Sequence, residues 1–265
     1  MNSGTRADVV PGAETIDLQE GNSRGILLLH GFGDTPQTLR LLAKELHSAG
    51  YDVKAPLLPG HGRNIESFVA SRHDEWLSFA RQELTAMREN HETVALAGLS
   101  MGGALAAILA AEYKDVPALG LLAPYIDMPW THKIAASFYW AWGADRARKS
   151  NSPASIRDPA ERSKNVGYGF YSARLLHELA TIGKAARQAL PRIESPTLIV
   201  QSRTDPRIRA DVAERALASL GSSEKKLIWI EGAGHIITVD YGREQVFREV
   251  RGWMDSHVPR ALATA

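Results

Sequence analysis

The residues best suited to chemistry in this chain form the pentapeptide GLSMG at positions 98–102, with a serine between two glycines. A short apolar run at 94–97 precedes it and an Ala/Leu-rich run follows it, so the pattern predicts a strand, a sharp turn and a helix, with Ser100 at the turn. Such a turn strains the serine backbone, and a side chain at Gly98 or Gly102 would collide with neighbouring backbone. Because the following helix presents free N–H groups and a partial positive charge, the site suits a nucleophile that builds up an oxyanion.

Two further reactive side chains follow predicted strands. Asp205 comes after the apolar strand 196–200, and His235 comes after the strand 226–230. In open α/β sheets ligands bind beyond the carboxyl ends of the strands, and the chain order Ser, Asp, His is typical of this kind of serine turn. We therefore predict that His235 takes the proton of Ser100 and that Asp205 orients the imidazole.

Other residues could fill the same roles. Asp127, which follows the strand before the middle block of the chain, and Asp211 are alternatives for the acid. His257 is an alternative base, although it lies late in a predicted terminal helix.

The loop after the first strong strand, 26–29, is the expected place for an oxyanion hole. The backbone N–H groups of Phe32 and Met101 could point at one carbonyl oxygen, and each such donor is typically worth about 3 kcal/mol in the transition state. Gly31 and Gly33 add no side chains to this loop.

Strands and helices alternate along most of the chain, which predicts an α/β fold with a mostly parallel sheet covered by helices on both faces. The alternation stops near Tyr125, so we predict a helical cap at 125–192, inserted between core segments 1–124 and 193–265. Predicted strands cover about 15–18, 26–29, 51–55, 94–97, 118–123, 196–200 and 226–230, and predicted helices begin near 35, 76, 101, 211 and 241.

The first part of the predicted cap is rich in aromatic residues. Tyr125, Trp130, Phe138 and Trp140 are the candidate substrate-binding residues, because aromatic walls suit an apolar acyl or alcohol group. At least half of the cap aromatics are expected simply to pack the cap onto the sheet.

Composition excludes several other classes of function. The net charge is +1, so no overall field favours nucleic acid or a membrane surface. There is no cysteine, no cluster with metal-ligand spacing, no phosphate-binding or dinucleotide-binding glycine motif and no apolar run near 18 residues. We expect no metal, no cofactor, no nucleic-acid partner and no transmembrane segment. The polar N-terminus lacks the apolar core of a signal peptide, so a cytoplasmic protein is the expectation.

Several motifs together resemble the α/β-hydrolase superfamily, and more closely the bacterial carboxylesterases and monoacylglycerol lipases with a small helical cap: LLLHGFGDTP, APLLPGHG, LAGLSMGG, PTLIVQSRTD and GAGHIITVD. The resemblance covers about 16–255 and implies a serine hydrolase that cleaves carboxylic esters through an acyl-enzyme. It implies Ser100 as nucleophile, Asp205 as acid and His235 as base, with oxyanion donors at Phe32 and Met101.

The same triad could serve a thioesterase, an amidase or a carbon–carbon bond hydrolase, and the sequence does not separate these activities. A non-catalytic ligand-binding protein on this fold usually lacks a triad member, and none is missing here. His61, in the motif PGHG, also matches a turn of the family, and we expect its role to be structural.

Overall fold

The computed structural model describes residues 8–127, 137–149 and 155–259. Within them, nine strands form a seven-stranded sheet and a separate two-stranded sheet. They are β1 (Ile16–Leu18), β2 (Arg24–Leu29), β3 (Asp52–Ala55), β4 (Thr93–Leu99), β5 (Leu119–Leu122), β6 (Arg148–Lys149), β7 (Phe170–Tyr171), β8 (Thr197–Ser202) and β9 (Lys225–Ile230).

The large sheet has the strand order β1-β3-β2-β4-β5-β8-β9. The edge strand β1 pairs antiparallel with β3, and all the other neighbouring pairs are parallel. The predicted mostly parallel sheet is therefore confirmed. The carboxyl ends of its parallel strands meet at one edge, which is where the candidate site lies.

Helices cover both faces of this sheet. They are α1 (Arg40–Ser48), α2 (Ile65–Ala70), α3 (His73–Asn90), α4 (Met101–Glu112), α5 (Pro159–Arg162), α6 (Ala173–Ala189), α7 (Ala210–Ser219) and α8 (Arg243–His257), with short 3₁₀ helices at Pro36–Leu39, Tyr139–Trp142 and Leu190–Arg192. No helix in the described ranges is long and apolar enough to cross a membrane.

The burial of β2 shows why an uninterrupted apolar run forms a central strand. Leu27 and Leu29 belong to the apolar cluster on one face of the sheet, while Ile26 and Leu28 belong to the cluster on the other. Because successive side chains of a strand point to opposite faces, a strand covered on both sides is apolar at successive positions wherever it packs on both clusters. Helix α4 is buried at every residue from Met101 to Ala111, as a helix that is apolar all round must be.

The described part of the segment between β5 and β8 contains more than helices. It holds the antiparallel pair β6–β7 as well as α5 and α6. Leu175, Leu179, Ile182 and Ala186 of α6, spaced at helical intervals, enter the same apolar cluster as α4. This packing attaches α6 to the core, whereas the division of the chain at 124/125 and 192/193 remains a prediction.

Candidate active site

Ser100 occupies a strained turn between β4 and α4, as the glycine pattern predicted. Its backbone has φ 55° and ψ −116°, a region that side-chain-bearing residues seldom adopt. A β-carbon built at Gly98 would lie 2.1 Å from the carbonyl oxygen of Gly102, and one built at Gly102 would lie 1.9 Å from that of Leu29. Only glycine fits at these two positions.

Hydrogen bonds from neighbouring elements hold this turn in place. The N–H of Ser100 donates to the carbonyl of Leu122 at 2.8 Å. The Ser100 carbonyl accepts from the N–H groups of Tyr125 at 3.0 Å and Ala104 at 3.1 Å. The strain is thus maintained by β5 and α4 on either side of the serine.

Asp205 and His235 meet at the same edge of the sheet. His235 Nδ1 lies 2.7 Å from Asp205 Oδ2, the Asp205 side chain is fully buried, and that of His235 is 9% exposed. The carboxylate also accepts hydrogen bonds from Gln201 Nε2 at 2.9 Å and from the N–H groups of Arg207 at 2.7 Å and Ile208 at 3.0 Å.

These contacts determine which imidazole nitrogen carries the proton. Burial acts to raise the pKa of Asp205, but the charge and hydrogen bond of His235 and the two backbone N–H groups outweigh it and hold that pKa below its ordinary value. An ionised carboxylate can only accept a hydrogen bond, so Nδ1 of His235 is the donor. Nε2 is left to accept a proton from another group.

The alternative acids and base are engaged elsewhere. Asp127 pairs with Arg187 and Arg215, each at 3.1 Å, and Asp211 pairs with Arg209 at 2.9 Å and also with Arg215. His257 contacts Glu224 and the carbonyl of Trp253 on the surface of α8. Of the candidates, the structure brings only Asp205 to His235.

The predicted oxyanion loop, which follows β2, is held by a buried, neutral histidine. The Nδ1–H of His30 donates to the Gly31 carbonyl at 3.0 Å, and its Nε2 accepts from the Leu58 N–H at 3.1 Å. Burial lowers the pKa of His30 well below its ordinary value, so the ring keeps the single proton that this arrangement needs. His61 packs edge-on against it at 5.1 Å between ring centroids, and burial lowers the pKa of His61 to about 4. The surroundings of His61 fit the expected structural role.

The two predicted oxyanion donors flank Ser100. Met101 is the first residue of α4, where an N–H has no acceptor within the helix. A β-carbon built at Gly31 would lie 3.4 Å from Ser100 Cβ, so the loop that carries Phe32 runs directly beside the serine. The Phe32 ring is fixed by Phe68 and Trp76, at 5.1 and 6.1 Å between centroids.

One charged site residue escaped the sequence analysis. Asp34 is half-buried beside the predicted oxyanion loop, and its Oδ2 would lie 3.1 Å from a β-carbon built at Gly31. Burial raises the pKa of Asp34 to about 6, although the charges of His235 and Arg207 act in the opposite direction. Its only signal in the sequence was an acidic residue two positions after Phe32.

The candidate substrate-binding aromatics lie in different surroundings. Tyr125 is buried beneath α6 and lines a cavity of about 370 Å³ together with Asp127, His177 and Arg187. Phe138 and Trp140 are 52% and 70% exposed and contact each other at 6.5 Å between centroids. Trp130 lies outside the described residues. The structure does not gather these side chains into one enclosed pocket among the residues that it describes.

Comparison with known proteins covers most of the chain. The family described as serine aminopeptidase, S33, matches residues 21–241. The chain is 28% identical over 250 residues to a thermostable monoacylglycerol lipase of Bacillus sp. (strain H-257), covering 94% of this chain and 97% of that protein. It is 26% identical over 242 residues to a carboxylesterase of Bacillus subtilis (strain 168), covering 89% and 94%.

Solved structures show the same relationship. A structure from the study of LipS and LipT, two metagenome-derived lipolytic enzymes, superimposes with a TM-score of 0.86 at 28% identity, over 94% of this chain and 100% of that one. A monoacylglycerol lipase of Paleococcus ferrophilus, at 18% identity and a TM-score of 0.78, shares the fold over 92% and 98% of the two chains.

Proposed function

The chain belongs to the serine aminopeptidase S33 family and is a serine hydrolase of carboxylic esters, and we propose that Ser100, His235 and Asp205 carry out the reaction. The contact between His235 Nδ1 and Asp205 Oδ2, at 2.7 Å and shielded from solvent, carries this proposal. Other histidines of the described residues also contact carboxylates, such as His91 with Asp52 at 3.3 Å, but the His235–Asp205 contact is the one whose two residues follow the carboxyl ends of neighbouring parallel strands, β9 and β8.

In the proposed reaction, Ser100 Oγ attacks the ester carbonyl while Nε2 of His235 takes its proton. Asp205 keeps the imidazole in the required tautomer and stabilises the imidazolium that forms. The N–H groups of Phe32 and Met101 stabilise the oxyanion of the tetrahedral intermediate. His235 then protonates the leaving alcohol, an acyl-enzyme remains on Ser100, and water activated by His235 releases the acid.

The proposed substrates are small esters with an apolar acyl or alcohol group. This rests on the names of the two bacterial relatives, a monoacylglycerol lipase and a carboxylesterase, and on the aromatic side chains of 125–142. Within this proposal, the segment 125–192 is the cap that selects the substrate over the core.

Hydrolysis of nitrophenyl esters from acetate to palmitate tests the proposal. The wild-type protein should hydrolyse part of this series, with an optimum chain length set by the site. Ser100→Ala should fold normally and lose roughly 10³-fold or more in kcat. Ser48→Ala, which alters an exposed hydroxyl on α1, is the matched control and should retain full activity. A folded wild-type protein with no esterase activity, or an active Ser100→Ala variant, would contradict the proposal.

A further inference from the structure

A second buried carboxylate lies next to the loop that carries His235. Asp240 is completely buried and accepts four backbone N–H groups, from Gly234 at 2.7 Å, Arg157 at 2.8 Å, Tyr241 at 2.8 Å and Asp158 at 2.9 Å. Two of these donors belong to the loop after β9 that carries His235. The other two belong to residues 155–158, here called the strap, which lie about 80 positions earlier in the chain.

The strap also contacts the histidine residue directly. The carbonyl of Ser155 accepts hydrogen bonds from the N–H of His235 at 2.8 Å and from that of Ile236 at 3.0 Å. A β-carbon built at Gly234 would lie 2.5 Å from the same carbonyl, so the two segments touch without room for a side chain. The backbone before and after the imidazole is therefore bonded either to the strap or to Asp240.

The loop that carries Asp205 is tied to the same strap. Arg207 Nε donates to Ser155 Oγ at 3.0 Å, and Arg157 Nη2 donates to the Thr204 carbonyl at 3.0 Å. The loops that carry both proposed partners of Ser100 are thus hydrogen-bonded to the strap, and Asp240 joins the strap to the histidine loop.

The opposite end of the sheet offers a carboxylate of the same kind. Asp52, at the start of β3, is buried and accepts the N–H groups of Glu20 at 2.9 Å, Gly21 at 3.1 Å and Asn22 at 3.1 Å. It lies at the amino end of a parallel strand, away from the edge where Ser100 lies. Asp52 also accepts from the Asn22 side chain at 2.8 Å and contacts His91 Nε2 at 3.3 Å. Like Asp240 it stabilises a loop through several backbone N–H groups, but only Asp240 adjoins the site.

We propose that Asp240 is a positioning residue for His235, which holds the strap against the histidine loop and so fixes the imidazole between Asp205 and Ser100. The inference rests on the proposed triad. An ionised carboxylate makes strong hydrogen bonds with several N–H groups at once. An asparagine has one acceptor oxygen and one NH₂ donor, so it can satisfy one pair of these N–H groups and must repel the other.

The test compares Asp240→Asn with Asp52→Asn, with kcat and KM measured per folded molecule on the best nitrophenyl ester. We expect Asp240→Asn to lower kcat about 10- to 100-fold while KM changes less than about threefold, because a displaced base slows chemistry more than binding. Asp52→Asn should lower thermal stability but leave kcat within about threefold. The downfield proton signal of the His235–Asp205 hydrogen bond in the NMR spectrum should weaken in Asp240→Asn and persist in Asp52→Asn.

A second pair of variants covers the case in which Asp240→Asn fails to fold. Gly234→Ala should press the strap away from the histidine loop and lower kcat about 10-fold or more, whereas Gly252→Ala, which has open space around it, should not. Normal kcat in the folded Asp240→Asn or Gly234→Ala variant would overturn the inference, while inactive Ser100→Ala would still support the triad. An active Ser100→Ala variant would instead overturn the proposed function itself.

Discussion

The loops at the carboxyl edge of the core sheet and the aromatic segment around 137–142 hold their side chains by different means. In the core loops each proposed reactive group has several fixed partners: the Asp205 carboxylate accepts four hydrogen bonds, and the Ser100 backbone makes three. Phe138 and Trp140, by contrast, are largely exposed and contact each other. We infer that catalysis depends on a few polar groups that the core loops hold in fixed positions, whereas the aromatic segment adjusts the choice of substrate.

The largest effect should come from the core acid. Asp205→Asn should lower kcat about 10⁴-fold with little change in KM, because an amide at this position favours the wrong imidazole tautomer. Asp127→Asn, the alternative acid, should stay within about threefold of the wild type. Steady-state kinetics of the two folded variants provide the measurement, and the reverse ranking would assign the acid to the other residue.

Ionisation of the Asp34 carboxyl should lower the stability of the folded protein near neutral pH. Its folded-state pKa of about 6 lies above the ordinary value of 3.8, so the folded protein binds a proton at Asp34 more tightly than the unfolded chain does. The stability that this bound proton contributes is lost as the pH rises through about 6. Asp34→Asn removes the cost of burying the charge, about 2 kcal/mol once its partial exposure is taken into account.

Thermal unfolding at two pH values measures this effect. The Tm of Asp34→Asn should exceed that of the wild type at pH 8 and match it near pH 4. An equal difference in Tm at both pH values would show that the carboxyl does not titrate in this range.

Tyr168 tests the part of the segment between β5 and β8 that is firmly attached to the core. Its N–H donates to the Gly33 carbonyl at 2.9 Å, its hydroxyl accepts from the Arg63 N–H at 2.7 Å, and its ring stacks on Phe68 at 4.7 Å. Tyr168→Phe should lower the free energy of unfolding by about 1–2 kcal/mol, because the Arg63 N–H loses its partner. Denaturant unfolding measures this change, and Tyr139→Phe, at a half-buried ring that contacts His177 in the aromatic segment, serves as the control. Equal stability of the two variants would remove the distinction between the part attached through Tyr168 and the aromatic segment.

The smallest effect should come from the exposed aromatics. Trp140→Ala should change the free energy of unfolding by no more than about 0.5 kcal/mol, as is usual for surface positions. Its kcat on a short nitrophenyl ester should stay within about threefold, and any change should appear in KM for long acyl chains. A large loss of kcat on the short ester would show that this side chain takes part in the reaction, and it would remove the distinction between the core loops and the aromatic segment.

The sequence predicted the core well because its signals are local. Continuous apolar runs such as 26–29 indicate strands buried on both faces, and residues placed just after such strands must share one edge of a parallel sheet. This reasoning selected Ser100, Asp205 and His235 without any contact information, and the structure brings Asp205 and His235 together.

Other features depend on contacts between distant residues, for which no local pattern exists. Asp240 and the strap are about 80 positions apart, and neither stands out by periodicity or composition. The two-residue strands β6 and β7 are too short to show alternation. The exposure of Phe138 and Trp140 is set by neighbouring elements, so an aromatic-rich sequence alone could not separate packing residues from surface residues.

Covalent labelling tests the central claim, that Ser100 is the nucleophile, most directly. The protein is incubated with a fluorophosphonate reagent that modifies activated serines, digested, and the modified peptide is located by mass spectrometry. We expect one adduct, on Ser100, formed rapidly in the wild type and absent from Ser100→Ala, together with parallel loss of esterase activity. An adduct on another residue, or full activity of a protein labelled at Ser100, would contradict the account.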